Sequence, residues 1–213
     1  GTRTVEHPPL GGDQRLVAIE DIRAARDRIA GVIRPTPAEP SEPLSELAGR
    51  PVILKPEQRQ RTGSFKIRGA YNRISRLPPG TPVVAGSAGN HAQGVALAAK
   101  LTGHPATIFM PVNAPLPKVE ATRNYGATVR MGGQAVDDCI ASAKDLCRDG
   151  EAVFVPPFDD PLIIAGQGTI GLELAEEHAA LLGVVALEAL DALQEVLDLP
   201  VVLADQGQCV HAH

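Results

Sequence analysis

The sequence predicts an α/β protein built on a parallel sheet, and three observations lead to that class. Short apolar segments rich in β-branched residues alternate with longer helical segments through the middle of the chain. Gly103, Gly126 and Gly150 stand at or just beyond the ends of three of these helical segments. Apolar residues make up 44% and charged residues 21% of the 213 positions, which indicates a folded chain. Strands that alternate with helices are typical of parallel sheets.

The first third of the chain contains fewer elements. Residues 1–15, which are rich in Pro and Gly, are expected to form a flexible lead-in. From Ile19 to Ile33 apolar residues recur at helical spacing, and Arg34-Pro35 ends this predicted helix. A turn-rich connector follows. Residues 51–55, PVILK, then have the β-branched density of a buried strand.

The repeating part consists of four strand–helix pairs. Each apolar segment is short enough for a buried strand, and each is followed by a helical segment. The strands are predicted at 82–87, 106–111, 127–131 and 152–156, and the helices at 90–103, 115–126, 134–150 and 161–177.

Charge and composition exclude several classes of partner. The net charge is −5, and Lys and Arg are scattered, which argues against nucleic acid or an anionic membrane as the main partner. No apolar run reaches the roughly 18 residues of a membrane span, and the N-terminus shows no secretory signal. The three cysteines have neither zinc-type spacing nor the even number of a disulfide framework. We expect a cytoplasmic protein without a metal site.

Lys66 occupies an unusual position. In residues 61–70, RTGSFKIRGA, Ser64 has the features of a helix N-cap, which places Lys66 in the first turn of a helix. The positive end of a helix disfavours an ammonium group, and partial burial lowers an amine's pKa further. A neutral amine is a nucleophile that can bond to a carbonyl. Taken alone, the residue is more simply interpreted as a solvated surface lysine.

Three loops lie where a parallel sheet binds its ligands. Ligands of open α/β sheets bind at the carboxyl ends of the strands, next to helix N-termini. The loops are TGSFK at 62–66, SAGNHAQG at 87–94, and PPFDDPLIIAGQGT at 156–169. Small residues in the second loop let a ligand approach backbone N–H groups.

Together these segments resemble the serine/threonine dehydratase group of fold-type II enzymes that use pyridoxal 5′-phosphate (PLP). The resemblance is dense at 62–70, 87–96, 110–127 and 157–173, and covers about residues 19–175. It implies a fold like that of the tryptophan synthase β chain. Residues 83–157 would form a complete small domain. Residues 16–82 and 158–213 would form an incomplete large domain, altered after about residue 175.

The resemblance also implies roles for individual residues. Lys66 matches the lysine that holds PLP covalently and moves protons at the substrate's α-carbon. Phe65 matches the residue that flanks the cofactor ring, and Asn90 the asparagine that hydrogen-bonds the ring's phenolic oxygen. The loop that binds the substrate carboxylate is matched by Ser87, Ala88, Gly89, Asn90 and His91.

The implied reaction is the dehydration of a small amino acid. L-Threonine would give 2-oxobutanoate and ammonia through an aminoacrylate intermediate, and serine is the alternative substrate. Relatives that racemise serine carry a second serine where this chain has Ala88, and alanine cannot transfer a proton. Phe158 also matches the dehydratase-like form of its loop. These residues favour dehydration over a serine racemase-like activity.

The resemblance ends after Glu173. The family's tetraglycine loop, which cups the PLP phosphate, has no match there, because only Gly183 and Gly207 follow Gly171. Residues 181–199 predict an amphipathic helix that covers exposed core or forms a dimer contact. Cys209, His211 and His213 lie close together in sequence but make a poor closed metal site.

Three interpretations therefore stay open. The chain is a dehydratase with a truncated or altered end, a catalytically dead relative that acts as a binding or regulatory module, or part of an assembly in which another chain completes the site. The retained Lys66, Asn90 and substrate loop favour a dehydratase. A small amino-acid substrate and a homo-oligomer are the expected partners.

Overall fold

The computed structural model describes residues 16–178 and the backbone of residues 204–205 and 208–209. Seven α-helices occur in this described part of the chain, and they account for most of its regular structure. The helices are α1 Ile19–Ile29, α2 Glu42–Ala48, α3 Lys66–Ile74, α4 Asn90–Thr102, α5 Leu116–Asn124, α6 Val136–Leu146 and α7 Pro161–Glu177. The strands are β1 Glu39–Pro40, β2 Ile53–Leu54, β3 Val83–Gly86, β4 Ala106–Met110, β5 Thr128–Met131, β6 Val153–Phe154, β7 Ala204–Asp205 and β8 Gln208–Cys209.

A four-stranded parallel sheet lies at the centre, in the order β5-β4-β3-β6. The chain moves outward from β3 to β4 to β5 and then returns to place β6 on the other side of β3. Because parallel crossovers are right-handed, α4 and α5 lie on one face of the sheet and α6 on the other. The predicted α/β class with a parallel sheet is confirmed.

Three local predictions were wrong in detail. The strand predicted at 51–55 is reduced to β2, which pairs antiparallel with β1 outside the parallel sheet. The helix predicted from Ile19 to Ile33 stops at Ile29, and Gly31 follows with a left-handed φ of 76°. Ser64 is extended, and Phe65 takes the cap position of α3 instead. Lys66 is the first residue of that helix and so lies in its first turn, as the sequence predicted.

The main hydrophobic core lies between the sheet, α3 and α4. Ile67 and Ile74 of α3, Val95 of α4, and Val83 and Ile108 of the sheet are all buried in one apolar cluster. A smaller cluster joins α1 to α7 through Ile22, Ala25, Ala165 and Leu172. α3 therefore lies between two layers, with α4 on one side and α7 on the other.

Glycines allow α3 and α7 to approach closely. A Cβ atom on Gly166 would lie 2.6 Å from the Cα atom of Gly69, and one on Gly69 would lie 2.8 Å from the carbonyl oxygen of Ile163. Both distances are shorter than a carbon atom can tolerate, so the two backbones can meet only without side chains at these positions. The GQG segment of α7 is thus a packing surface.

Charged side chains also join α3 to α7. Arg68 is fully buried and donates to both carboxylate oxygens of Glu57, at 3.0 Å from Nε and 2.8 Å from Nη2. Its Nη1 and Nη2 atoms also donate to Glu173 of α7, at 2.5 and 3.0 Å. Lys55, also buried, contacts Glu173 and Glu177 at 2.9 Å each. Thr36 and Thr169 complete the contacts of the Arg68 guanidinium group.

Several predictions fall outside the described residues. These are the lead-in over residues 1–15, the helix over 181–199, and the side chains of Cys209, His211 and His213. Among the helices that the structure does describe, none is long and apolar enough to cross a bilayer.

Candidate functional site

The sheet has its topological switch point between β3 and β6, because the chain runs from β3 outward to β4 and β5 and then crosses back to β6 on the other side of β3. Such points form a crevice at the carboxyl ends of the strands, where ligands bind. The loop 87–89 continues from β3, and the segment 155–157 continues from β6. Side chains from α3 and α4 contact this segment, so the predicted loops meet at one end of the sheet.

Lys66 reaches this crevice from the first residue of α3. Its Nζ atom donates to the carbonyl oxygen of Pro157 at 2.9 Å and lies 5.0 Å from the centre of the Phe65 ring. Lys66 and Phe65 are both half-buried. A Cβ atom on Gly94 of α4 would lie 3.1 Å from the backbone carbon of Lys66. Glycine at position 94 therefore lets α4 run close past the start of α3 without displacing the backbone of Lys66.

The turn before Lys66 has an unusual backbone. Thr62 takes a left-handed conformation with φ 65°, rare for a β-branched residue, and Gly63 follows at φ 71°. The hydroxyl oxygens of Thr62 and Ser64 are buried without a hydrogen-bond partner among the described residues. Strained backbone and unpaired buried polar atoms both cost free energy, so they persist only where the surrounding structure maintains them. Such features concentrate at functional sites.

His91, the second residue of α4, is buried against the segment after β6. Its Nε2 atom lies 3.0 Å from the carbonyl oxygen of Val155. Burial lowers the pKa of His91 to about 4, and the charge of Lys66 acts in the same direction, while the bond to Val155 opposes them. The ring is therefore neutral at pH 7, with Nε2–H as the donor to Val155.

Asn90 begins α4 and is held by a lysine from the next helix. Its Oδ1 atom accepts a hydrogen bond from Nζ of Lys118, in α5, at 2.7 Å. Both side chains are half-buried. The amide of Asn90 thus has a defined orientation within the structure.

Ser87, Ala88 and Gly89 form a compact turn between β3 and α4. The backbone N–H of Ser87 donates to the carbonyl of Phe109 in β4 at 3.0 Å, which extends the sheet pairing by one residue. The N–H of Gly89 donates to the Ser87 hydroxyl at 3.2 Å. A Cβ atom on Gly89 would meet no atom within 4 Å. This turn leads directly into the N-terminus of α4, where the first amides have no acceptor within the helix.

Reasoning from the sequence missed three contributors to this region. Lys118 lies within a recognised motif but received no role, although its spacing after a strand places it near the same sheet edge. The carbonyl of Pro157, which accepts from Lys66, leaves no signal in side-chain patterns. Gly94 was interpreted only as a small residue, whereas its function is to admit the backbone of Lys66.

Comparison with known proteins gives one family model that matches. It is described as "Pyridoxal-phosphate dependent enzyme" and matches residues 29–192. The match includes β3 to β6 and every predicted site residue.

Curated and solved relatives agree with this match. The L-threonine ammonia-lyase of Thermotoga maritima is 50% identical over 165 residues, which cover 76% of this chain and 41% of that protein. The crystal structure of a threonine deaminase from T.th. matches with a TM-score of 0.70 at 42% identity, over 79% of this chain and 54% of that one. Maize serine racemase matches with a TM-score of 0.72 at 37% identity, over 78% and 51%. The chain spans about half the length of these relatives.

Proposed function

Because the chain belongs to the family of pyridoxal-phosphate dependent enzymes, we propose that it acts in the dehydration of L-threonine to 2-oxobutanoate and ammonia. One observation carries the proposal. The amine of Lys66 and the N-terminus of α4 meet at the switch point of a parallel sheet, in a chain 50% identical to a threonine ammonia-lyase. L-Serine is the alternative substrate.

The residues present fit PLP. The cofactor needs a primary amine for its aldehyde and a hydrogen-bond donor for its phenolic oxygen. Lys66 supplies the amine, and the amide group of Asn90 can supply the donor, since its oxygen is engaged by Lys118. The half-buried Phe65 ring offers an apolar surface beside the lysine. The donor set of this crevice is therefore chemically suited to the group.

Bound PLP withdraws electrons from the substrate's α-carbon and so makes its proton acidic. Lys66 would hold the cofactor and, once released, take the α-proton with its amine. In the structure the Lys66 ammonium group donates to the Pro157 carbonyl, which holds the side chain in the crevice. That carbonyl bond must be exchanged before the amine can act as a base.

The substrate carboxylate would bind at the turn formed by Ser87, Ala88 and Gly89 and at the start of α4. Backbone N–H groups and the helix dipole favour an anion there. His91 is buried and neutral at pH 7, so it contributes no positive charge to carboxylate binding. Its bond to Val155 instead fixes the first turn of α4 against the segment after β6.

Ala88 favours dehydration over racemisation. Racemisation requires a second proton donor on the opposite face of the α-carbon, and a methyl side chain cannot provide one. Maize serine racemase shares the fold of this chain, so the fold is compatible with both reactions. The side chain at position 88 is our reason to prefer the lyase reaction.

The domain division is part of the same proposal. Residues 83–157 would form the small domain, which includes the whole four-stranded sheet. Residues 16–82 and 158–213 would contribute to the large domain. The homo-oligomer and the cytoplasmic location expected from the sequence stay predictions.

The first experiment traps the cofactor on its lysine. The purified chain is mixed with PLP, reduced with borohydride, digested and examined by mass spectrometry. We expect one dominant pyridoxyl adduct on Lys66, absent from Lys66→Ala and unchanged in Lys100→Ala, since Lys100 is an exposed lysine on α4. Adducts spread evenly over surface lysines, and unaffected by Lys66→Ala, would contradict the assignment.

A second measurement tests the reaction. L-Threonine is added, and 2-oxobutanoate is measured with a coupled reductase, while circular dichroism of L-serine solutions reports racemisation. We expect 2-oxobutanoate and no loss of serine optical activity beyond its deamination. An adduct on Lys66 without product would favour the catalytically dead relative.

A further inference from the structure

We propose that Lys118 is a positioning residue that fixes the amide of Asn90 with its oxygen toward α5 and its NH2 group turned away from α5. The part of this inference that concerns the cofactor rests on the proposed function. Lys118 lies in the MP…P…K…E…YGA stretch at 110–127, and in the proposed function it neither binds the cofactor nor moves a proton. Its Nζ atom donates the 2.7 Å hydrogen bond to Oδ1 of Asn90.

The orientation follows from the chemistry of the two side chains. A lysine ammonium group has three donors and no acceptor, whereas an asparagine amide has an acceptor at one end and two donors at the other. The end of the amide that faces Lys118 must therefore be the oxygen. Because the amide is planar, its NH2 group points away from Lys118. A neutral partner with both donors and acceptors would not select one orientation.

Asn90 lies on the face of α4 that meets Lys66. Residues four apart stack on one face of a helix, so Asn90 lies one turn before Gly94. Gly94 contacts the backbone of Lys66, where a Cβ atom would lie 3.1 Å from the lysine carbon atom. The amide that Lys118 orients thus belongs to the same helix face as the contact with the proposed cofactor-bearing residue.

This arrangement determines what the crevice can bind beside Lys66. With its oxygen held by Lys118, Asn90 interacts on its other side as a donor, which favours an acceptor such as a phenolate oxygen over a donor. The positive charge of Lys118 also polarises the amide and strengthens its N–H groups as donors, because charge-assisted hydrogen bonds are the stronger ones. Without Lys118 the amide could rotate and present its oxygen, which an anionic acceptor would repel.

The direct test needs no cofactor. The side-chain NH2 signals of Asn90 are recorded by 15N NMR and assigned by their loss in Asn90→Ala. We expect these signals to shift in Lys118→Met and to stay near their wild-type positions in Lys118→Arg, because arginine also has donors only. Lys100→Met is the matched control on an exposed lysine of α4 and should change nothing. Unmoved Asn90 signals in Lys118→Met would overturn the inference.

The second arm uses two ligands that differ at one oxygen. PLP has a free phenolic oxygen, and 3-O-methyl-PLP has that oxygen blocked. We expect Lys118→Met to weaken PLP binding about tenfold, to leave 3-O-methyl-PLP within about twofold, and Lys118→Arg to restore most of the loss. An equal loss for both ligands would mean a general structural role and would contradict positioning.

The two arms separate this inference from the proposed function. If the wild-type chain binds neither ligand while the Asn90 signals respond as expected, the proposed function fails and the orientation by Lys118 stands. If PLP binds Lys66 normally but the Asn90 signals ignore residue 118, the proposed function stands and the inference fails.

Discussion

The two sides of α3 are held by different means. Toward α7, the helix is fixed by the fully buried Arg68, which bonds to Glu57 and Glu173, and by the contact of Gly69 with Gly166. Toward α4, it packs through an apolar core, and Gly94 admits the backbone of Lys66. On the α7 side, Arg68 makes hydrogen bonds of defined geometry to its carboxylate partners. On the side that faces the crevice, the Lys66 side chain is half-buried. The buried ion pairs of α3 thus lie on its α7 side, and the proposed chemistry lies on its α4 side.

Removing Arg68 should have the largest effect. Arg68→Met leaves the buried carboxylate of Glu57 without its cation and leaves Glu173 with Lys55 alone, and breaking a buried pair such as Arg68–Glu57 costs about 3–5 kcal/mol. We expect the free energy of unfolding to fall by that amount in urea titrations, or folding to fail. Arg59→Met is the matched control, because Arg59 pairs with Glu39 at the surface. The Arg59 side chain is 60% exposed and that of Glu39 is 49% exposed. It should change stability by less than about 1 kcal/mol. Equal effects of the two substitutions would refute the special role of the buried side.

Acid should lower the stability of the folded chain through His91, which lies on the α4 side of the crevice. His91 has a pKa of about 4 in the folded chain, below its ordinary value of 6.5, so the unfolded chain takes up the proton first as pH falls. Its contribution to stability is complete above pH 6.5 and is lost progressively toward pH 4, by about 3 kcal/mol. His91→Gln keeps a donor for Val155 but does not titrate, so its unfolding free energy should lack this slope between pH 6.5 and 4. Parallel pH profiles of the two proteins would contradict the burial of a neutral histidine.

The contact between Gly69 and Gly166 should contribute less to the free energy of unfolding than the ion pairs of Arg68. Gly166→Ala inserts a Cβ atom 2.6 Å from Cα of Gly69, which forces α7 away from α3. Overpacking of this kind costs about 1–3 kcal/mol, even though alanine is the better helix former. Gly132→Ala is a control, since its Cβ atom would meet nothing within 4 Å. Urea titration of the two variants measures the difference. A Gly166→Ala variant as stable as the wild type would show that the helices can separate freely.

The smallest effect should come from an exposed pair between α1 and α7. Arg26 and Glu176 bond at the surface, with side chains 38% and 54% exposed. Surface pairs contribute about 0–1 kcal/mol and are screened by salt. Glu176→Gln should therefore lower stability by a few tenths of a kcal/mol at low salt and by nothing measurable at about 1 M salt. A loss of stability that persists in high salt would mean that the Arg26–Glu176 pair is shielded from solvent like the ion pairs of Arg68.

Much of the sheet could be predicted from the sequence, because its strands are short, apolar and separated by capped helices. The predicted strand at 106–111 is observed as Ala106–Met110, and the predicted helix at 90–103 as Asn90–Thr102 with Gly103 at its end. The helix predicted to Ile33 was too long, since apolar spacing continued past the turn at Gly31. Periodicity reports which residues are buried but not where the backbone turns.

The loops of the candidate site were recognised from their motifs, whereas their convergence needed the topology. The sequence showed that TGSFK and SAGNHAQG each occur next to a helix start, but not that β6 lies beside β3 and brings Pro157 to Lys66. Lys118 is separated from Asn90 by 28 positions, and no local pattern links them. The same holds for Arg68 and Glu173, which are 105 positions apart.

The sequence by itself determined the α/β class, the approximate positions of the strands and helices of the sheet, and the location of Lys66 in the first turn of α3. These depend on local apolar spacing and on turn residues, which act over a few positions of the chain. Tertiary structure alone decided the strand order, the burial of Arg68 among carboxylates, the neutral state of His91 and the orientation of Asn90 by Lys118. Each of these depends on contacts between residues distant in the chain, because burial and hydrogen-bond geometry exist only once separate elements pack together.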